Sequence, residues 1–186
     1  MKARTISLIA ICAALSACGG GASGSRGGSV SLADYTNLNA ATDLNELTSN
    51  ATVDVATDTV NYSGFVNLVP DTGGSTLVGF VGNLDLTVNF STDTVDGSAT
   101  NFGEYTSASP SGALPAVSGG LDIDGTLTDL NESLGDGMDG TAVGNVGGYD
   151  FDMTFGGNIL GADRAGVVIY LDNTADLGGG VGIAVQ

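Results

Sequence analysis

Apolar residues occupy every second position over long stretches of this chain, and this alternation constrains the fold more than any other feature. The clearest case spans residues 78 to 90, where the even positions are Val78, Phe80, Gly82, Leu84, Leu86, Val88 and Phe90. The odd positions Asn83, Asp85, Thr87 and Asn89 are polar. A period of two is typical of a β-strand with one face on a core and the other in water. We therefore expect Leu84, Leu86, Val88 and Phe90 to point into a core.

Seven more segments between residue 59 and the end repeat this pattern. Their first apolar residues are Val60, Val95, Leu121, Met138, Tyr149, Val167 and Val181. Turn residues such as Ser91 to Asp93 and Gly147-Gly148 separate them. Eight short strands without helical intervals predict an all-β fold, and glycines within the strands favour a closed barrel. We predict an eight-stranded antiparallel β-barrel over residues 59–186, with a β-sandwich as the alternative.

Two details of the barrel follow from the same pattern. An eight-stranded barrel fills its interior with side chains and leaves no channel. In the last segment, the alternation places Val181, Ile183 and Val185 on the core face. The glycine-rich stretch 178–186 leaves open whether this strand closes the sheet. Asp, Asn and Thr on the opposite strand faces favour contact with water rather than lipid.

The first 17 residues have the order of a signal peptide, with Lys2 and Arg4 followed by a short apolar run. Leu15-Ser16-Ala17-Cys18 then resembles the lipobox of bacterial lipoproteins. That resemblance implies cleavage before Cys18 and acylation of its thiol, which attaches the protein to a membrane. The alternative is an ordinary secretory signal that leaves Cys18 as a free thiol.

Two connecting segments precede the barrel. Residues 18–30 are rich in glycine and serine, which predicts a flexible tether. Residues 31–58 form a lead-in whose leucines and Tyr35 recur about every three positions, which favours a short helix. By analogy with Gram-negative lipoproteins, the absence of Asp directly after Cys18 predicts the outer membrane. The periplasmic and the cell-surface face both remain open.

Basic residues are scarce in this chain. Residues 1–17 contain two of the four basic residues, so the mature protein keeps Arg26 and Arg164 against 21 acidic residues, a net charge of −19. Nucleic acid is excluded as a partner, because its phosphates must be neutralised by Lys or Arg. A hydrophobic content of 42% is too high for a disordered acidic chain. We expect any protein partner to offer a basic patch.

The side chains needed for common catalytic arrangements are missing. The chain contains no histidine, and acylation removes Cys18 as a nucleophile. The pairs Asp122/Asp124 and Asp150/Asp152 each share a strand face, and paired acids can cleave glycosides. Their positions on the polar side of the alternation predict solvated carboxylates instead. We therefore predict a protein that is not an enzyme and has no catalytic residues.

Calcium is the strongest alternative ligand. Residues 122–125 and 136–140 resemble fragments of carboxylate loops, but neither has the order of an EF-hand ending in a bidentate Glu. Asp-Gly pairs are also ordinary hairpin turns. The glycines of residues 19–28 follow no strand and precede no helix, unlike those of phosphate-binding loops. We predict no metal and no cofactor, while specific calcium binding stays open.

Three short stretches resemble a family of bacterial surface lipoproteins. They are Tyr62-Ser63-Gly64, Leu84 to Phe90 and Thr94 to Ala99, and with the lipobox and tether they are similar to the C-terminal barrel of transferrin-binding protein B. The resemblance covers residues 59–186. It implies an eight-stranded barrel tethered to the outer membrane that binds a partner without catalysis. It carries over no binding residue and does not imply binding of transferrin.

The predicted function is that of a non-catalytic binding module, and a structural adhesin or matrix protein with a β-sandwich fold is the alternative. Segment 103–120 interrupts the alternation and is the longest predicted connection; it contains Tyr105, Pro110, Leu114 and Pro115. Long loops in compact domains are often functional. We expect this segment to bind the partner, and we expect deletion of residues 106–116 to leave the melting temperature nearly unchanged.

The lipid anchor gives a direct test. The mature protein should begin at an acylated Cys18, because the lipobox directs cleavage and modification to that residue. Intact-mass measurement of protein extracted from membranes should show the acyl chains, and Cys18→Ser should release the protein from the membrane fraction. An unmodified N-terminus in the wild-type protein would contradict the anchor.

Overall fold

The computed structural model describes residues 30–41, 56–70, 72, 77–106, 112–128, 137–161, 163–173 and 178–186. Cys18 and Asp136 therefore lie outside the described residues, as do the signal peptide and most of the tether. The elements within the described ranges are α1 (Leu32–Ala41), β1 (Thr59–Val69), β2 (Gly79–Asn89), β3 (Thr94–Tyr105), β4 (Gly119–Thr128), β5 (Gly137–Val146), β6 (Tyr149–Leu160), β7 (Gly166–Asp172) and β8 (Gly179–Val185). The short helix expected in the lead-in is α1.

The eight strands form one closed antiparallel barrel in chain order. Each strand pairs with the next, and β8 pairs with β1 from Val69↔Gly179 to Ser63↔Val185. The glycine-rich last strand therefore closes the sheet. The predicted all-β barrel is confirmed, and the β-sandwich alternative is wrong, because a sandwich would leave two open sheets.

The alternation in β2 places its side chains as predicted. Leu84, Leu86 and Val88 are buried inside the barrel, and Phe90 is buried just after the strand ends. Asp85 is exposed on the outer wall, while Thr87 and Asn89 are half-buried there.

A β-bulge changes the alternation within β3. Val95 and Ala99 point inward, but Asn101 adopts a left-handed backbone conformation with φ 54°. The pairing with β2 shifts register at this point, so Phe102 points inward instead of an odd-numbered residue. The ring of Phe102 fills the space above Gly82, which has no side chain of its own.

The predicted core face of β8 is wrong. Ala184 belongs to the barrel core, and Gly182 lies inside against Ile169 and Leu84. Ile183 points outward into a separate apolar cluster, with Val181 packed against it. Glycine and alanine face inward because the interior at this position is already filled by side chains from β2 and β7. The larger residues are covered from outside.

Large side chains over glycines fill the interior. The ring of Phe155 lies above both Gly125 and Gly140, and a Cβ placed on either glycine would come within 2.7 Å of it. The core contains the inward side chains of all eight strands, including Tyr62, Leu68, Phe80, Met153 and Ile169. The described interior is thus occupied by the protein's own side chains, in agreement with the sequence prediction.

Helix α1 packs on the outside of the barrel. Leu32 and Tyr35 contact a cluster that includes Val81 and Tyr105, and Tyr35 and Leu38 contact a second cluster that includes Ile183. A Ser31–Asp34 capping pair begins the helix: the Asp34 N–H donates to the Ser31 hydroxyl at 3.2 Å, and the Ser31 N–H donates to the Asp34 carboxylate at 3.0 Å. One side of the outer wall is therefore a second, smaller apolar layer.

Segment 103–120 is not a free loop where it is described. β3 continues to Tyr105, and Leu114 is buried beside it in the outer cluster. The Glu104 N–H donates to the Pro115 carbonyl at 2.9 Å, and the Leu114 N–H donates to the Val30 carbonyl at 3.0 Å. Deletion of residues 106–116 would remove these contacts. The expectation of an unchanged melting temperature is therefore wrong.

Glycine packing in the interior gives a matched test of the fold. In Gly140→Ala the new methyl group would meet the Asp124 carbonyl and the Phe155 ring, so we expect a loss of about 1–3 kcal/mol of unfolding free energy. Gly156 points outward with no atom within 4 Å of an added Cβ, so Gly156→Ala should change stability by about 0.5 kcal/mol or less. Urea denaturation of both variants measures the difference. Equal stabilities would contradict the packing described.

Candidate functional site

Seven exposed aspartates cover the outer surface of β2 to β6. We call this surface the acidic wall; its members are Asp85, Asp96, Asp122, Asp124, Asp139, Asp150 and Asp152. The strand register groups them, since Asp96 on β3 lies directly opposite Asp124 on β4. The four aspartates singled out as possible catalytic acids all belong to this surface. The acidic wall is therefore the strongest charge feature of the described chain.

An exposed valine interrupts the acidic wall. Val143 on β5 has 47% of its surface exposed, and its cross-strand neighbours are Asp122 on β4 and Asp152 on β6. A shallow groove of about 570 Å³ runs beside it; its lining residues are Val143, Gly144, Asn145, Asp150, Phe151, Asp152 and Asn173. An apolar spot flanked by carboxylates suits a ligand that combines an apolar group with positive charge.

The carboxylates of the wall differ in how they are held. Three accept side-chain hydrogen bonds, from Ser63 to Asp85 at 2.8 Å, from Asn145 to Asp150 at 2.8 Å and from Thr126 to Asp139 at 3.3 Å. Asp96, Asp122, Asp124 and Asp152 have no hydrogen bond or ion pair with another described residue. Their oxygens are free to accept hydrogen bonds from a partner.

Neither acid chemistry nor a metal site is assembled on this surface. Asp122 and Asp124 are exposed on a regular strand, and so are Asp150 and Asp152, whereas an acid catalyst is normally enclosed in an apolar pocket. Over the described ranges, no group of three or more Asp, Glu, Cys or His side chains is placed to hold a metal ion. Of the two calcium candidates, residues 122–125 form part of strand β4.

A second polar cluster lies at one end of the barrel. Arg164, in the turn between β6 and β7, donates from both terminal nitrogens to the carboxylate of Asp58, at 2.6 and 3.2 Å. Its guanidinium also stacks on the Phe90 ring at 4.5 Å from the ring centre. The arginine side chain is only 18% exposed. These contacts join the start of β1, the β2–β3 turn and the β6–β7 turn, so Arg164 closes this end.

The C-terminal residue joins the same cluster. The Gln186 side-chain amide donates to the Arg164 carbonyl at 2.6 Å and to the Asp163 carbonyl at 3.4 Å. Its backbone N–H donates to the Ala165 carbonyl at 3.1 Å. These bonds fix the turn in which Arg164 takes a left-handed conformation with φ 58°. The hydrogen bond from Arg164 lowers the pKa of the Asp58 carboxyl.

Tyr62 places a hydroxyl inside the barrel near this end. The residue is fully buried, and its hydroxyl has no hydrogen-bond partner among the described residues. Burial raises the pKa of Tyr62 to about 12, although the Arg164 charge and the Gln186 amide both act to lower it. The Arg164 Nε is likewise buried without a partner among the described residues. These two polar atoms are exceptions in an otherwise apolar interior.

Aromatic rings close the opposite end. Phe80 packs against Tyr149 with ring centres 5.7 Å apart and against Phe151 edge to face at 6.4 Å. Gly147, in the β5–β6 turn, has φ 61° and lies against the Phe80 ring. A left-handed conformation and close contact with a ring both favour glycine there.

Comparisons with known proteins add no identity to this geometry. No protein-family model matches the chain, and a search of curated proteins finds no match. Within the described part of the chain, no helix is long and apolar enough to cross a membrane. The resemblance to the barrel of transferrin-binding protein B therefore stays a hypothesis based on short motifs.

Sequence reasoning found the aspartates and missed two other features. Val143 lies at an outward position of β5, and a signal was available, because valine breaks the polar side of the alternation there. The contacts of Arg164 could not be predicted, because Asp58 is 106 residues away in sequence. Its rarity as a basic residue was the only hint.

The buried Tyr62 hydroxyl gives a pH-dependent prediction. Its raised pKa means that the folded state holds the proton more tightly than the unfolded state, whose pKa is near 10.0. This contribution to stability is complete below pH 10 and is lost as the pH rises toward 12. We expect Tyr62→Phe to lose less unfolding free energy than the wild type over this range, as measured by urea denaturation.

Neutral pH provides the control for that comparison. Removal of a buried hydroxyl without a partner relieves a desolvation cost, so Tyr62→Phe should be at least as stable as the wild type at pH 7. A clear loss of stability at pH 7 would mean that the hydroxyl is hydrogen-bonded in solution.

Proposed function

We propose that this protein is a lipid-anchored, non-catalytic binding protein of the bacterial outer membrane whose acidic wall captures a basic partner. The observation that carries the proposal is Val143, which lies exposed between Asp122 and Asp152 on a wall that α1 does not cover. An outward valine adds nothing to the barrel core. Contact with a partner gives it a role.

Charge supports the same partner class. The mature chain has a net charge of −19, and four carboxylates of the acidic wall have no hydrogen bond or ion pair with other described residues. A partner with Lys or Arg would form charge-assisted hydrogen bonds to them, and the long-range field would speed its approach. Asp96 and Asp124, which face each other across strands, would also lose their mutual repulsion when a cation lies between them.

The binding surface differs from the one expected from sequence. Tyr105 and Leu114 are buried beneath and beside α1, so they cannot serve as contact residues of an open loop. The proposed contact surface is instead the rigid outer face of β4 to β6. A rigid surface loses little conformational entropy when it binds, which favours recognition without a large conformational change.

The anchor and the family relationship belong to the proposal as well. The lipobox at Leu15 to Cys18 supports lipidation, and the tether of residues 18–30 would let the barrel reach a partner away from the membrane. The closed eight-stranded barrel is compatible with kinship to the barrel lipoproteins resembling transferrin-binding protein B. The adhesin alternative was based on a β-sandwich and loses that support.

A photo-crosslinking experiment in intact cells tests the acidic wall. A photo-reactive residue at position 143 should form an adduct with a protein whose contact peptide is rich in Lys or Arg, whereas one at the exposed Asn37 on α1 should not. Asp122→Asn with Asp152→Asn should reduce the adduct at least about tenfold, because two buried charge contacts each contribute on the order of 1 kcal/mol.

A matched double variant controls for net charge. Asp93 and Asp163 are exposed in turns away from the acidic wall, so Asp93→Asn with Asp163→Asn removes the same charge. This variant should retain most of the adduct. If both double variants lose the adduct equally, only the overall charge matters and the acidic wall is not the binding surface.

A further inference from the structure

The outer wall of the barrel has an apolar side that faces away from the acidic wall. We call it the apolar strip; its members are Phe65, Val81, Val168, Val181 and Ile183. Phe65 pairs with Ile183, which pairs with Val168, so these three form one row across β1, β8 and β7. Val81 and Ile183 are completely buried although they point away from the barrel core. This side of the barrel requires a cover.

Helix α1 provides that cover with few residues. Leu32, Tyr35 and Leu38 lie three positions apart and contact the strip from one face of the helix. All three remain partly exposed, whereas the strand residues beneath are buried. The strip is thus more completely enclosed than the helix that encloses it.

The sequence of α1 does not favour a helix by itself. It has ten residues, and isolated helices shorter than about 12–15 residues are marginal in water. Thr36, Asn37 and Asn39 are weak helix formers on its exposed side. The helix therefore depends on docking for its structure, and docking and helix formation are coupled.

The start of this segment is held separately from the helix. Val30 is buried, and its carbonyl accepts a hydrogen bond from the Leu114 N–H at 3.0 Å. Residues 32–41 can consequently leave the wall while Val30 stays attached. The released segment would remain close to the strip and could dock again quickly.

We propose that α1 is a releasable strap and that the apolar strip beneath it is a docking site for an amphipathic helix of a partner protein. The partner helix carries three apolar residues at the spacing of Leu32, Tyr35 and Leu38, and it replaces α1 on β1, β7 and β8. Helix-in-groove recognition of this kind depends on apolar anchors on one helix face. This inference does not depend on the acidic wall or on the lipid anchor.

Hydrogen exchange of the intact mature protein tests release. Local opening of α1 should make its hydrogen-bonded amides exchange at least about 100-fold faster than the paired amides of β1 and β8 beneath it, since the strands open only when the barrel unfolds. Equal exchange rates for α1 and these strands would make α1 an integral part of the barrel and would overturn the proposal.

Binding in trans tests the docking site. The probe is a fluorescent synthetic peptide with the α1 sequence, VSLADYTNLNAA, residues 30–41. Leu38→Asp should release the strap and raise the affinity for this peptide at least about tenfold over that of the wild type, because the peptide no longer competes with the tethered helix. A peptide with Asn in place of Leu32, Tyr35 and Leu38 should not bind.

The matched control adds the same charge to the neighbouring exposed residue. Asn39→Asp should leave the strap docked and the peptide affinity at the wild-type value. Two results would overturn the proposal: loss of the barrel's melting transition in Leu38→Asp, which would make α1 essential to the fold, or a folded Leu38→Asp that fails to bind the peptide.

Discussion

The close approach of β1 and β8 is the contact on which the rest of the molecule depends. Gly64 on β1 pairs with Ala184 on β8, and a Cβ at Gly64 would collide with the Ile183 carbonyl. Small residues at this seam let the two strands pair and leave the sheet without a free edge. The seam also creates the seat of α1, because Phe65 and Ile183 meet across it on the outside.

Closure gives the barrel one interior and an outer wall with two different sides. The interior is saturated by rings that lie over glycines, such as Phe155 over Gly140. The outer wall is apolar where α1 covers it and acidic from β2 to β6. A closed sheet with a filled interior has only its outer wall and its ends for contact with other molecules. Recognition by this fold is therefore a matter of wall chemistry.

The sequence predicted what local pattern determines. The period of two located all eight strands, because side-chain alternation is a property of each strand alone. It assigned the wrong face to β8, because both faces of that strand carry apolar residues. The decision between Ile183 and Gly182 depends on α1 outside and on Leu84 inside. Only the assembled barrel contains that information.

The functional surface follows the same division. The aspartates of the acidic wall were recognisable as solvated strand faces, and the alternation in β4 and β6 placed them correctly. The burial of Leu114 was not predictable, since it depends on contacts with Val30 and Tyr105 that are distant in sequence. The Arg164 cluster required knowledge of which turns meet at one end. Nonlocal contacts account for each of these failures.

The facing pair Asp96 and Asp124 connects this protein to the ionic strength of its surroundings. Two like charges directly opposite on neighbouring strands repel each other and weaken the sheet, and dissolved ions screen that repulsion. The Debye length falls from about 10 Å at 0.1 M salt to about 3 Å at 1 M, so brine would relieve the strain that fresh water imposes. A wall of this kind trades firmness in dilute solution for endurance in a salty one.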